Sequence, residues 1–256
     1  EAARNLACVG AEPLAYTDCC NFGSPEKPEV FWQFKRGVEG LAYMSKGLGI
    51  PCVGGNVSFY NEDEETGLAV KPTTTIVMLG LLEKPEWVTT MGVKAGGDSL
   101  IMLGKTYPEM GGSEYYSYIH GIEGGEPPKV NMGLEKKTLK AVLKAIRSGK
   151  ITAAHDCFRG GLATAIIEMG LEGGFTADLN LDPIIKDDMR IDEIFFSESH
   201  SRFILTTKET DLEDIIAIFN QYQVPVNVIG KVTKSDVFKF NFSSETIKCS
   251  FNKLKE

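Results

Sequence analysis

Three stretches of the chain combine oxygen-bearing side chains with glycine in a way that suits a phosphate chain and a metal ion. Thr17-Asp18-Cys19-Cys20-Asn21-Phe22-Gly23-Ser24-Pro25 offers the Asp18 carboxylate. Gly54-Gly55-Asn56-Val57-Ser58 offers the Asn56 amide oxygen and the Ser58 hydroxyl. His155-Asp156-Cys157-Phe158-Arg159-Gly160-Gly161 closes a short apolar run with an imidazole and a carboxylate. Glycine lets backbone N–H groups approach an anion, and a following helix N-terminus adds a favourable field. Magnesium takes a few hard oxygen ligands plus phosphates and waters, so Asp18, Asn56 and a triphosphate form a coherent set. The sequence reading is that two loops, around 18 and 56, converge on one metal-bound triphosphate. Taken singly, each stretch has an ordinary structural explanation: Gly-Gly-Asn is a common turn, Asp before Asn-Phe-Gly a common local cap, and His155 a cap for the next helix.

The remaining polar groups say less. His120 has no partner nearby in sequence, and three scattered histidines argue no nucleophilic triad. Glu62-Asp63-Glu64-Glu65 reads as a solvated loop. Glu109 and Glu114 flank Gly111-Gly112 and face either a phosphate pocket or solvent. None of the six cysteines forms a CxxC pair, so they read as reduced, mostly buried thiols rather than a zinc site or disulfide framework.

The elements that must position these groups are punctuated by Gly and Pro. Residues 1–9 read as a helix closed by Gly10, 13–17 as a short extended stretch, and 28–48 as a helix ended by Gly47-Leu48-Gly49. Residues 51–53 read as a brief strand, 61–67 as a polar hairpin-like loop, and 73–82 as a buried strand. A domain boundary falls within 85–97, giving domains 1–92 and 93–256. Beyond it come strands at 98–103, 151–154, 202–206 and 226–232, with helices at 134–148, 162–171 and 211–222. Without a clean βαβ repeat the fold class is α+β. The 256 residues carry a net charge of −8 with 43% apolar content. No basic run interleaves with aromatics, which argues against nucleic acid, and no apolar run is long enough to cross a membrane. The opening Glu1-Ala2-Ala3-Arg4 has no signal-peptide layout and starts inside a helical pattern, as in a chain cut from something longer; the expected location is cytoplasmic.

Taken together, these motifs resemble phosphoribosylformylglycinamidine synthase, in the latter half of the small form of its synthetase subunit. The stretches that carry the resemblance are 1–6, 17–28 and 54–62. Gly111-Gly112-Ser113-Glu114-Tyr115, His155-Asp156 with Gly160-Gly161-Leu162-Ala163, and Phe196-Ser197-Glu198-Ser199 with Arg202 extend it over the whole chain. The resemblance implies a two-domain AIR synthetase-like repeat, with the first domain truncated at its N-terminus, in a fold shared with selenophosphate synthetase and thiamine-phosphate kinase. It implies an ATP-dependent C–N ligase of purine biosynthesis that converts formylglycinamide ribonucleotide to the amidine. In that reaction ATP activates the amide oxygen and ammonia displaces phosphate. The implied cofactors are ATP and Mg²⁺. The implied partners are the N-terminal repeat, a glutaminase subunit and a small accessory subunit.

By the same resemblance Asp18 and Gly55 would bind ATP, Asn56 a magnesium ion and Ser58 the ribonucleotide. The catalytic histidine belongs to the first repeat, so no residue here is assigned as catalytic and the chain alone is expected to show no turnover. The superfamily's His-Asp-x-Ser-Asp-Gly-Gly has Phe158 and Arg159 in place of its hydroxyl and second carboxylate, which removes a metal site but leaves Arg159 to meet a phosphate. Two alternatives are a non-catalytic nucleotide-binding scaffold and another superfamily enzyme such as selenophosphate synthetase. An uncovered apolar face on the first domain is expected to drive homodimerisation.

Overall fold

The computed structural model describes residues 1–185, 189–243 and 245–256. They form two compact units, residues 12–81 in the smaller and residues 3–11 with 82–256 in the larger. Helix α1 (Ala2–Cys8) opens the chain. The smaller unit then runs β1 (Glu12–Asn21), α2 (Pro28–Leu48), β2 (Cys52–Ser58) and β3 (Thr73–Leu81). Its sheet order is β2-β1-β3, with β1 parallel to β2 and antiparallel to β3. Parallel neighbours need a crossover, and α2 supplies it. Pro28 in the first turn and Gly49 at φ 75° bound this helix, because proline fits the first turn and glycine accepts the left-handed C-cap. Cys20, Phe22 and Val30 form its small core with Phe34, Leu41 and Phe59. The Phe34 ring meets Phe22 and Phe59 edge-on at 5.4 and 5.0 Å.

Strand β3 corrects the expectation of a buried strand. It alternates exposed and half-buried residues, and Val77 and Leu79 are 58% and 66% exposed. Helix α2 covers one side of the three-stranded sheet, and within this unit no second layer covers the other.

The larger unit contains β4 (Ser99–Leu103), α3 (Glu114–His120), α4 (Met132–Arg147), β5 (Ile151–Asp156), α5 (Gly161–Gly173), β6 (Thr176–Asn180) and α6 (Ile191–Phe196). It continues with β7 (Phe203–Thr207), α7 (Leu212–Gln221), β8 (Val226–Thr233), β9 (Val237–Phe242) and β10 (Glu245–Ser250). The seven strands lie in the order β10-β9-β6-β8-β4-β7-β5, antiparallel except for β6 beside β9. Strands β4 and β7 are buried at every position. Helix α5 places Leu162, Ile166 and Met169 in a core with Leu100, Met102, Ile204, Phe238 and Phe240. This mostly antiparallel sheet with segregated helices is the α+β architecture expected from sequence. The contacts group α1 and residues 82–92 with the larger unit, where a division at 92/93 would put them with the smaller. Arg4 reaches Glu135 and Asp156, and the Thr90 carbonyl accepts from the Ala154 amide at 3.2 Å.

Candidate functional site

Of the two stretches expected as loops, 18–25 is strand as far as Asn21 and 54–58 is strand throughout, and the two strands pair. Asp18 lies opposite Gly55 in the parallel β1–β2 ladder. Glycine is needed there for space: a Cβ on Gly55 would stand 2.5 Å from Asp18 Oδ1 and 3.0 Å from its Cγ. The carboxylate therefore leans across the neighbouring strand, over bare backbone. Two thiols hold it, Cys52 Sγ donating to Oδ1 at 3.3 Å and Cys20 Sγ to Oδ2 at 3.1 Å. Burial, then the adjacent Asp18, pushes the Cys20 thiol up to about 11, so it stays a donor. Asp18 shares the helix-covered side of the sheet with Tyr16 and Cys20, both buried.

Asn56 pairs with Cys19, and Ser58 with Asn21. Strand alternation puts these four on the opposite side. Asn56 Nδ2 donates to Ser58 Oγ at 3.0 Å, and the Ser58 carbonyl accepts from Phe22 N at 3.0 Å and Asn61 Nδ2 at 3.1 Å. The expected joint grip of Asp18 and Asn56 side chains on one metal is thus corrected, because a strand period of two divides residues that a flexible loop could have gathered. Asn56 still presents one hard oxygen. Among the described residues no cluster of three or more His, Cys, Asp or Glu side chains could hold a metal. The donor set fits magnesium only as a single amide ligand completed by phosphates and water.

Glu62 departs from the solvated acidic loop expected for 62–65. Its carboxylate accepts from Ser24 N at 2.7 Å and from Lys27 Nζ at 2.9 Å. These contacts hold its pKa below the usual range, the Ser24 amide contributing most and Lys27 next. The sequence signal was only an acidic residue four positions after Ser58.

In the larger unit, His155 and Asp156 end β5 without capping the next helix. Asp156 is buried and accepts from Arg4 Nε at 3.2 Å, while Arg4 Nη1 donates to Glu135 at 2.9 Å. His155 Nε2 lies 3.0 Å from Glu168. Arg159, expected to be free for a phosphate, pairs with Glu114. The Glu198 carboxylate accepts from Gly160 N at 2.9 Å and Glu114 N at 3.0 Å, filling the position an anion would take at the start of α5. Fully buried Arg202 fixes this segment by donating to the Ser199 carbonyl at 2.9 Å, to Thr106 Oγ1 at 3.1 Å and to the Ser197 carbonyl. Arg4, Glu62 and Glu198 were read only as members of longer stretches, without these contacts, because each acts through partners 35 or more residues away.

Residues 95–242 match the AIR synthase related protein, C-terminal domain, and residues 1–82 match the N-terminal domain of the same family. The chain is 47% identical over 231 residues to phosphoribosylformylglycinamidine synthase subunit PurL of Moorella thermoacetica, covering 90% of this chain and 31% of that protein. It is 39% identical over 256 residues to the same subunit of Alkaliphilus metalliredigens, covering 100% of this chain and 34% of that protein. The chain therefore spans about a third of the length of these relatives. Among solved structures, T. maritima PurL complexed with FGAR has a TM-score of 0.84 at 20% identity, covering 98% of this chain and 41% of that one. T. maritima PurL complexed with ATP has a TM-score of 0.75 at 21% identity, covering 98% and 40%. E. coli HypE, a hydrogenase maturation protein, has a TM-score of 0.73 at 15% identity, covering 97% and 76%. At these identities the structures speak for the fold alone.

Proposed function

The chain belongs to the AIR synthase related family, and on that premise we propose that it serves an ATP-dependent C–N ligase, phosphoribosylformylglycinamidine synthase, as the second of two repeats. Its substrate is formylglycinamide ribonucleotide, and it works in the cytoplasm with a first repeat that carries the catalytic base. A glutaminase subunit that releases ammonia and a small accessory subunit complete the assembly.

One observation carries this reading: Asp18 faces side-chain-free Gly55 across the edge strand β2, and Asn56 and Ser58 follow at once on its other side. A ligand running over that edge meets a carboxylate on one side and an amide and hydroxyl on the other. Asp18 and the bare backbone of Gly55 would orient the nucleotide. Asn56 would give one oxygen to a magnesium ion, whose chemistry is to neutralise the triphosphate and the charge that builds on the transferred phosphoryl group. The Ser58 hydroxyl accepts from Asn56, which leaves its proton to donate to the ribonucleotide. Close backbone approach and fixed donors at the reacting groups are the electrostatic part of such catalysis.

Steady-state kinetics of the assembled synthase test this. Asp18→Ala is expected to raise KM for ATP about tenfold or more, and Ser58→Ala to raise KM for the ribonucleotide by a similar factor. Unchanged constants in both variants, or robust turnover by residues 1–256 alone, would overturn the proposal.

A further inference from the structure

We propose that Glu62 is a positioning residue for the substrate end of β2, locking the segment after β1 to the segment after β2 so that the Ser58 hydroxyl keeps its direction. This rests on the reading of Ser58 as a ribonucleotide contact. The two segments leave the sheet side by side, and backbone bonds join them: Phe22 N to Ser58 O at 3.0 Å, Tyr60 N to Gly23 O at 3.1 Å, and Asn61 N to Phe22 O at 3.2 Å. The Glu62 carboxylate enters this joint from the second segment, taking the Ser24 amide of the first at 2.7 Å and Lys27 Nζ, at the start of α2, at 2.9 Å. A Cβ on Gly23 would lie 2.8 Å from Glu62 Oε1 and 2.8 Å from the Ala69 Cβ, so the carboxylate fills the space that glycine leaves. Tyr60 sits at φ 58°, a left-handed conformation unusual for a tyrosine. Such a backbone persists where its surroundings fix it, and bonds on both sides of Tyr60 do so.

The joint bears on chemistry through Ser58. Its carbonyl takes the Phe22 amide and the Asn61 side chain, and its hydroxyl takes Asn56 Nδ2 at 3.0 Å. If the joint opens, the carbonyl loses the Phe22 amide, keeping only the local Asn61 side chain, and the hydroxyl turns away from the position it shares with Asn56. The first segment would also lose its tie to α2. Glu62 touches no substrate atom; it acts through Ser58.

Kinetics of the assembled synthase carrying Glu62→Ala, Glu62→Gln, Lys27→Met and Ser58→Ala test the proposal. Glu62→Ala is expected to raise KM for the ribonucleotide about tenfold, with KM for ATP within about twofold of the parent. Glu62→Gln keeps an oxygen for the Ser24 amide, and Lys27→Met keeps the carboxylate; each should shift the same constant by about threefold. They preserve the test if the alanine variant does not fold. A ribonucleotide KM unmoved in Glu62→Gln and Lys27→Met, or raised together with that for ATP, would overturn the positioning role. Ser58→Ala separates the two layers. If it leaves the ribonucleotide KM unchanged, the reading of Ser58 fails and the proposal with it; if it raises KM while the Glu62 variants do not, only the positioning role fails.

Discussion

Gly55→Ala puts a methyl group into space that the Asp18 carboxylate now holds. The added carbon would lie 2.5 Å from Asp18 Oδ1, 3.0 Å from Cγ and 3.2 Å from the Asp18 carbonyl oxygen. Ordinary contact begins near 3.4 Å, so the carboxylate must retreat by about an ångström and leave the Cys52 and Cys20 thiols. Overpacking of this kind costs about 1–3 kcal/mol. In a unit of residues 12–81 that corresponds to a fall in Tm of several degrees, at about 4–8 °C per kcal/mol. The decisive measurement is a double-mutant cycle. In an Asp18→Ala background most of the obstruction is gone, and the cost of Gly55→Ala should drop by about 1–2 kcal/mol. Unfolding followed by Trp32 fluorescence in a Trp87→Phe chain reports the smaller unit, since Trp32 lies on α2. Additive effects, with no coupling between positions 18 and 55, would mean that the carboxylate does not lie over the glycine. The geometry behind the nucleotide site would then be gone.

Two further outcomes rest on burial. Arg4→Met strands Glu135 and Asp156, both buried, without their cation, and should cost about 3–5 kcal/mol in urea unfolding at pH 7. Burial pushes Glu135 up, but Arg4 and Ser201 outweigh it and hold its pKa below the ordinary 4.5, so its contribution is present above that pH and lost as pH falls through the lowered value. In the variant the lowering by Arg4 is gone and only weaker contacts such as Ser201 oppose burial, so the gap to the parent should narrow from pH 7 to pH 4; a constant gap would refute the role of the pair. The open sheet side should drive self-association of the chain, and Val77→Lys with Leu79→Lys should weaken it at least about a hundredfold by sedimentation, because each apolar side chain is lost twice in a symmetric pair. A monomeric parent would refute this.

Sequence legibility divided along one physical line. The helix at 28–48 could be read to its ends, because Pro28 and Gly49 act locally and the apolar repeat matches the helical period. The types of the site residues were legible too, because a carboxylate, an amide and a hydroxyl near glycine keep their chemistry wherever the backbone runs. Which side of the sheet each faces was not legible, because that depends on a register set by a strand some 37 residues away, Cys19 beside Asn56. Strand β6, Thr-Ala-Asp-Leu-Asn, was missed for a related reason: its central Asp178 finds its partners on the neighbouring strand β9, Lys239 at 3.2 Å and Asn241 at 2.8 Å. Glycine inside a strand was the signal most easily misread. Gly54-Gly55 looked like a turn, yet Gly55 is extended and marks where a neighbour's side chain crosses. Gly230, mid-strand in β8, does the same for backbone, since a Cβ there would lie 2.3 Å from the Asp178 carbonyl oxygen. In both cases the missing side chain records an approach from the paired strand. The glycine that most resembled a loop residue is therefore the one that fixes Asp18 in place.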